Sequence, residues 1–252
     1  MIERYPSPRK TMKRLLLASL VVACTGVFAA PSSGEKPDDD FSQANRLLFM
    51  TDHLQNLQPP ATLDYEFSHR ADDGESYDDR VVLDIEQGDG AGKQVAVDFL
   101  SGDRHRYVPD VGNARGNPII MMFLQNDVST LAQRTGGSWR YFQRQIKFAL
   151  QDKAQVTQET ARFDGNTVAV KRIQLLPYAS EKTHREKMAG AAQRRYTFVL
   201  SDDVPGGVLE ISAETPAAQG QVASLDKLTL TPSPANEDVG QADTASASDS
   251  AR

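Results

Sequence analysis

The spacing of apolar residues changes period several times along the chain, and each change marks an element. In "FSQANRLLFMTDHLQNLQPP", Ala44, Leu47, Leu48, Leu54 and Leu57 fall near one face at helical spacing. Ser42 stands where a cap belongs and Pro59-Pro60 where a stop belongs, so one helix is predicted across this segment. The period then drops to two. Leu63, Tyr65, Phe67 and His69 alternate with Asp64, Glu66, Ser68 and Arg70; Val81, Leu83 and Ile85 share one side of the next run, and Val95, Val97 and Phe99 share one side of a third. "DDGESYDD" and "GDGAGK" separate these runs as turns, and "RHRYVPD" suggests a further short strand. The pattern is that of an antiparallel meander with one face inward and one in water.

A helical period returns at Asn117-Pro118, a cap followed by a first helical residue. Ile120, Phe123, Leu124, Val128 and Leu131 form its apolar stripe, and Gly136-Gly137 end it. Ser138 is placed to cap a second helix with Trp139, Phe142, Ile146 and Leu150 on one side and Arg140, Arg144 and Lys147 on another. Strands then resume: "AQVTQETARF" and "TVAVKRIQLLPY" flank an Asp164-Gly165-Asn166 turn, a strong hairpin cue. "RRYTFVL", "VLEISAE" and "LDKLTLT" follow, with "ASEKTHREKMAGAAQ" between strands as an exposed polar loop or short helix. The expected fold class is α+β. A curved antiparallel sheet, an open half-barrel, carries an N-terminal helix and an inserted helical hairpin on its concave face.

The two ends fall outside this domain. Lys13 and Arg14 precede an apolar run from Leu15 to Ala30 that closes in small residues, the layout of a secretory signal peptide, with Met12 as a plausible start. The run is slightly short for a membrane span, and no other stretch predicts one in the mature chain. Cleavage after Ala29 is favoured. "VVAC" resembles a lipobox and gives the alternative, lipidation at Cys24. With the first cut, the single cysteine leaves with the leader, and disulfides, thiolate metal sites and cysteine nucleophiles leave with it. The division is then 1–29 signal peptide, 30–41 linker, 42–231 one domain and 232–252 a disordered acidic tail whose Ala, Ser and Asp cannot offset the entropy of ordering. Export to the periplasm is the expected location.

Charge narrows the function. Losing residues 1–29 removes five cations (Arg4, Arg9, Lys10, Lys13, Arg14) and Glu3, which moves the formal charge from −6 to −10. Such a chain is a poor partner for nucleic acid or anionic surfaces as a whole. No catalytic constellation emerges. His53, His69, His105 and His184 are scattered, and there is no HExxH, GxSxG, P-loop or strand-linked GxGxxG. The acidic cluster Asp72, Asp73, Glu75, Asp78 and Asp79 lacks the ligand spacing of a calcium loop and fits a solvated turn. We therefore expect no enzyme, no metal and no cofactor. "GGSWRYFQRQIKFAL" admits three readings. Nucleic-acid stacking conflicts with the acidic balance, membrane contact rests on three cations, and packing against the open sheet is the default.

The order of elements from Phe41 to Thr231 resembles the LolA/LolB-like periplasmic lipoprotein-carrier superfamily, in which a curved sheet is covered by helices around an apolar cavity. "ANRLLFMTDHLQNLQPPATLDYEFSHR" looks like that family's helix-to-first-strand opening, and "GNPIIMMFLQNDVSTLAQ" stands where lid helices would be. The resemblance implies a binder of an acyl chain, lipid or lipoprotein anchor. Its cavity would lie between sheet and hairpin, lined by Val81, Leu83, Val95, Val97 and Phe99 on one side and Met121, Phe123, Trp139 and Phe142 on the other. The alternative is an envelope interaction or scaffold module with a solid core and a protein partner.

Overall fold

The computed structural model describes residues 41–232 apart from 73, 181, 183–187 and 218–222, all within the unit Asp39–Arg252. The leader, Cys24, the linker before Phe41 and the tail beyond Pro232 lie outside the described residues.

The alternating runs form β1 (Ala61–Ala71), β2 (Tyr77–Gln87) and β3 (Lys93–Phe99), followed by the short β4 (Val111–Ala114). After the helices come β5 (Gln155–Phe163), β6 (Asn166–Leu175), β7 (Arg195–Leu200), β8 (Val208–Thr215) and β9 (Ser224–Leu230). All nine pair antiparallel in the order β4-β3-β2-β1-β9-β8-β7-β6-β5. β4 and β5 are the two edges, so the sheet is open. The two meanders, β1–β4 and β5–β8, are joined by β9. It runs back to sit between β1 and β8, with Phe67 opposite Leu228 on one side and Ile211 opposite Leu228 on the other. The fold is α+β, as the hydrophobic pattern predicts.

Inward positions follow the predicted alternation: Leu63, Tyr65 and Phe67, then Val81, Leu83 and Ile85, then Val95, Val97 and Phe99 are all buried. The Asp164-Gly165 turn has both residues at positive φ, 47° and 75°, which suits a two-residue hairpin. The hairpin of helices is α2 (Ile119–Thr135) and α3 (Trp139–Asp152). Asn117 Oδ1 accepts the Ile119 N–H at 3.1 Å, Gly136 closes α2 at φ 65°, and Ser138 enters α3 with extended backbone but no side-chain cap bond. Phe123 of α2 meets Phe67 of β1 at 6.5 Å between ring centroids, and Phe142 of α3 meets Tyr178 edge-on at 5.4 Å. These contacts seat the hairpin on the apolar face of the sheet.

Three local expectations change. The N-terminal helix does not run to Pro59: α1 (Gln43–Asn45) continues only as a π-helical turn, Arg46–Met50, and Thr51 is extended. Its backbone finds other partners. The Leu54 N–H donates to the Arg115 carbonyl at 3.1 Å, and His53 Nε2 bonds the Leu47 carbonyl at 2.9 Å, closing the helix end from outside. "RHRYVPD" is not a strand. A 3-10 turn at Gly102–Arg104 and one isolated bridge, Phe99 to Arg106, lead to β4 further on. The segment before β7 is not wholly exposed either. Its residues 181 and 183–187 lie outside the described set, but Met188, Ala191 and Ala192 are buried, and a 3-10 turn covers Ala189–Gln193.

Candidate binding groove

The structure separates the nine residues expected to line a cavity. Val81, Leu83, Val95, Val97 and Phe99 of the sheet and Phe123 and Phe142 of the helices are buried members of one hydrophobic core. Met121 and Trp139 lie at the surface, 44% and 43% exposed. Helical geometry explains the split. The inward stripe of α2 is Ile119, Ile120, Phe123, Leu124, Asp127, Val128 and Leu131, and Met121 falls on its flank.

An apolar groove of about 530 Å³ opens on the other side of the hairpin, between the N-terminal helix, α2 and α3. Leu124 and Val128 of α2 and Ile146 and Leu150 of α3, each pair one turn apart, supply its buried floor. Phe49 and Met121 form its exposed walls, and Arg140, Arg144 and Lys147 its rim. Asn45, Gln125 and Gln143 complete the lining, which contains three cations and no carboxylate. The "PIIMMFL" run accounts for the groove. A helix apolar nearly all round needs two apolar surroundings, and only one of them is the sheet. The third wall is tied in place: Ser42 Oγ donates to the Leu150 carbonyl at 2.7 Å, and Asn45 Nδ2 donates to Gln151 Oε1 at 2.8 Å.

Two polar knots hold the hairpin to the sheet. In the first, Asn117 Nδ2 donates to Tyr65 Oη and to the Gly206 carbonyl, both at 2.9 Å, while the Asn117 N–H donates to His53 Nδ1 at 3.1 Å. His53 therefore accepts at Nδ1 and donates from Nε2, a neutral ring. Burial accordingly lowers its pKa. Gly206, at φ 70°, packs so closely that a Cβ there would meet Leu63 Cδ1 at 2.3 Å.

The second knot is ionic and buried. Arg194 pairs both oxygens of Asp127, and its guanidinium reaches Asp226 Oδ2 at 2.5 Å; Tyr196 Oη donates to Asp127 Oδ2 at 2.5 Å. Asp226 Oδ1 in turn meets His69 Nδ1 at 2.6 Å, and the His69 ring stacks on Tyr77 at 5.1 Å. Burial opposes ionisation of Asp226. The bonds from His69 and Arg194 outweigh it and hold the carboxyl below its ordinary range. Desolvation works against the charge on Arg194, and the carboxylates of Asp127 and Asp226 overcome it, so its pKa rises. Sequence reasoning missed this knot, although its signal is plain: Asp127 sits on the buried stripe of α2, one turn from Phe123 and Leu131. Of the acidic cluster, Asp78 and Asp79 lie on β2, where Asp78 bonds Arg70 at 2.5 Å and Asp79 bonds Arg104 at 2.8 Å.

No protein-family model and no curated protein sequence matches this chain significantly. Among solved structures, LprF from Mycobacterium bovis is similar at a TM-score of 0.29 and 12% identity, over 75% of this chain and 91% of that one. The MucA/MucB complex of Pseudomonas aeruginosa gives a TM-score of 0.29 and 15% identity, over 78% of this chain and 60% of the matched chain. Among the described residues, no helix is long and apolar enough to cross a membrane.

Proposed function

We propose that this chain is an exported, non-enzymatic binding protein of the bacterial envelope that holds the apolar part of an amphiphile, such as an acyl chain or a lipoprotein anchor. The site on this reading is the groove between α1, α2 and α3, because seven of the nine residues expected to line a sheet–hairpin cavity are buried in the hydrophobic core. One observation carries this reading: the groove has a buried aliphatic floor yet leaves Phe49 and Met121 in water, 41% and 44% exposed. Its volume, about 530 Å³, lies within the range of small-molecule sites. Each methylene taken from water contributes about 0.8 kcal/mol, so affinity comes from length of chain and not from directional bonds. Methionine suits such a wall because its unbranched thioether adapts to irregular apolar shapes.

A second reading, an envelope interaction module, is favoured by the same walls, since three helices around an apolar trough also fit the apolar face of a partner helix. Native mass spectrometry of the protein purified from the envelope, with lipid extraction, separates the two. The amphiphile reading expects co-purified lipid that is lost on Met121→Glu and Phe49→Ser, both surface changes that spare the core. Protein without lipid, and no exchange of added fatty acid, sinks it.

A further inference from the structure

We infer that the groove opens on a face that docks on an anionic lipid bilayer, so that the amphiphile enters from the membrane surface and not from solution; this rests on the reading of the groove as an amphiphile site. The apolar surface does not stop at the groove. Met50, beside Phe49, is 60% exposed, and Phe148 is 51% exposed. Phe148 stands one turn along α3 from Arg144, on the side of the helix away from the sheet. Trp139 lies at the start of the same helix with the Arg140 guanidinium 5.1 Å over its ring. Exposed aromatics among long cationic side chains make the composition of an interfacial helix, whose arginine and lysine stems lie along apolar surface while their heads stay in water.

Charge selects the kind of bilayer. The chain has 34 acidic and 28 basic residues, yet the groove lining holds three cations and no carboxylate. With a Debye length of about 8 Å at physiological salt, an anionic surface responds to the face it touches and not to the net charge of the molecule. A partner helix would need only the trough; the exposed Met50 and Phe148 outside its lining, beside the Arg140, Arg144 and Lys147 rim, favour a bilayer surface over a protein partner.

The test uses the purified full chain, vesicles of phosphatidylcholine alone or with phosphatidylglycerol at 3:1, and laurate as a monomeric amphiphile below its micellar concentration. Co-sedimentation and emission from Trp139, the single tryptophan, report docking. Anionic vesicles should bind and shift the emission to the blue; neutral vesicles should bind more weakly, and high salt should abolish the difference. Each cation near an anionic leaflet strengthens binding about fivefold, so Arg140→Glu with Arg144→Glu should weaken it at least about 25-fold. Phe148→Ser, outside the groove lining, should weaken vesicle binding and leave laurate binding unchanged. Laurate binding without vesicle binding overturns the docking face alone. Loss of both overturns the amphiphile reading as well. A stable dimer indifferent to vesicles also overturns docking, because a second copy then covers the face.

Discussion

Asp127 ties the hairpin to the sheet through directional bonds to Arg194 and Tyr196. A carboxylate on the apolar stripe of a helix costs several kcal/mol in desolvation unless its partners are fixed, and Arg194 and Tyr196 fix them. The pair holds α2 to β7 by directional contact, where aliphatic neighbours such as Val128 and Leu131 tolerate sliding. Arg194 also donates to Thr215 at 3.0 Å, so a single guanidinium serves strands and helix together. Arg194→Met leaves the buried Asp127 without its cation and strips one partner from the half-buried Asp226, and is expected to destabilise the fold by about 3–5 kcal/mol, read as a fall in the urea midpoint at unchanged slope. Adding Asp127→Leu should restore much of that loss, since well-packed apolar residues replace a buried ion pair at little or no net cost. A double variant no more stable than Arg194→Met refutes the assignment.

At the scale of elements, the alternating period made β1, β2 and β3 legible together with their inward faces, and glycine and asparagine marked both ends of α2. What the sequence left hidden are long-range pairings. Nothing in "LDKLTLT" says that it returns to β1; a strand buried on one face looks alike whichever neighbours it takes. The early end of the N-terminal helix is hidden for the same reason, because the partners of Leu54 and His53 lie in the segment around Arg115 and Asn117. The candidate site was half legible. "PIIMMFL" signalled a helix with two apolar contacts, but which contact was filled depended on how the sheet assembles beneath it. That central strand carries its own prediction. Asp226 of β9 bonds His69 of β1 and Arg194 just before β7, and its folded pKa lies below the unfolded value of about 3.9. Its stabilisation is therefore complete above about pH 4 and is lost as pH falls further through the folded pKa. Urea unfolding between pH 6 and 2 should show this acid limb, and Asp226→Asn should flatten it while lowering stability at pH 6.

On the scale of the whole molecule, the fold divides labour between its two sides. An open sheet with one apolar face must be covered, and here α2 and α3 cover it so fully that Phe67, Phe99, Phe123 and Phe142 are each at most 2% exposed. The apolar groove lies on the outer side of the cover, where α1 meets the hairpin, and on the proposed reading a ligand enters it without opening the core. That reading separates stability from binding. Phe142→Ala removes a buried ring that packs edge-on against Tyr178 and Tyr141. It is expected to cost about 3–5 kcal/mol in urea unfolding. Met121→Glu changes an exposed side chain and should leave stability within about 0.5 kcal/mol, yet it places a carboxylate in a groove that otherwise has none. Fatty-acid titrations at a temperature where both variants are folded should show affinity lost in Met121→Glu and retained in Phe142→Ala. The reverse outcome would put the ligand between sheet and hairpin, in a core that opens to admit it.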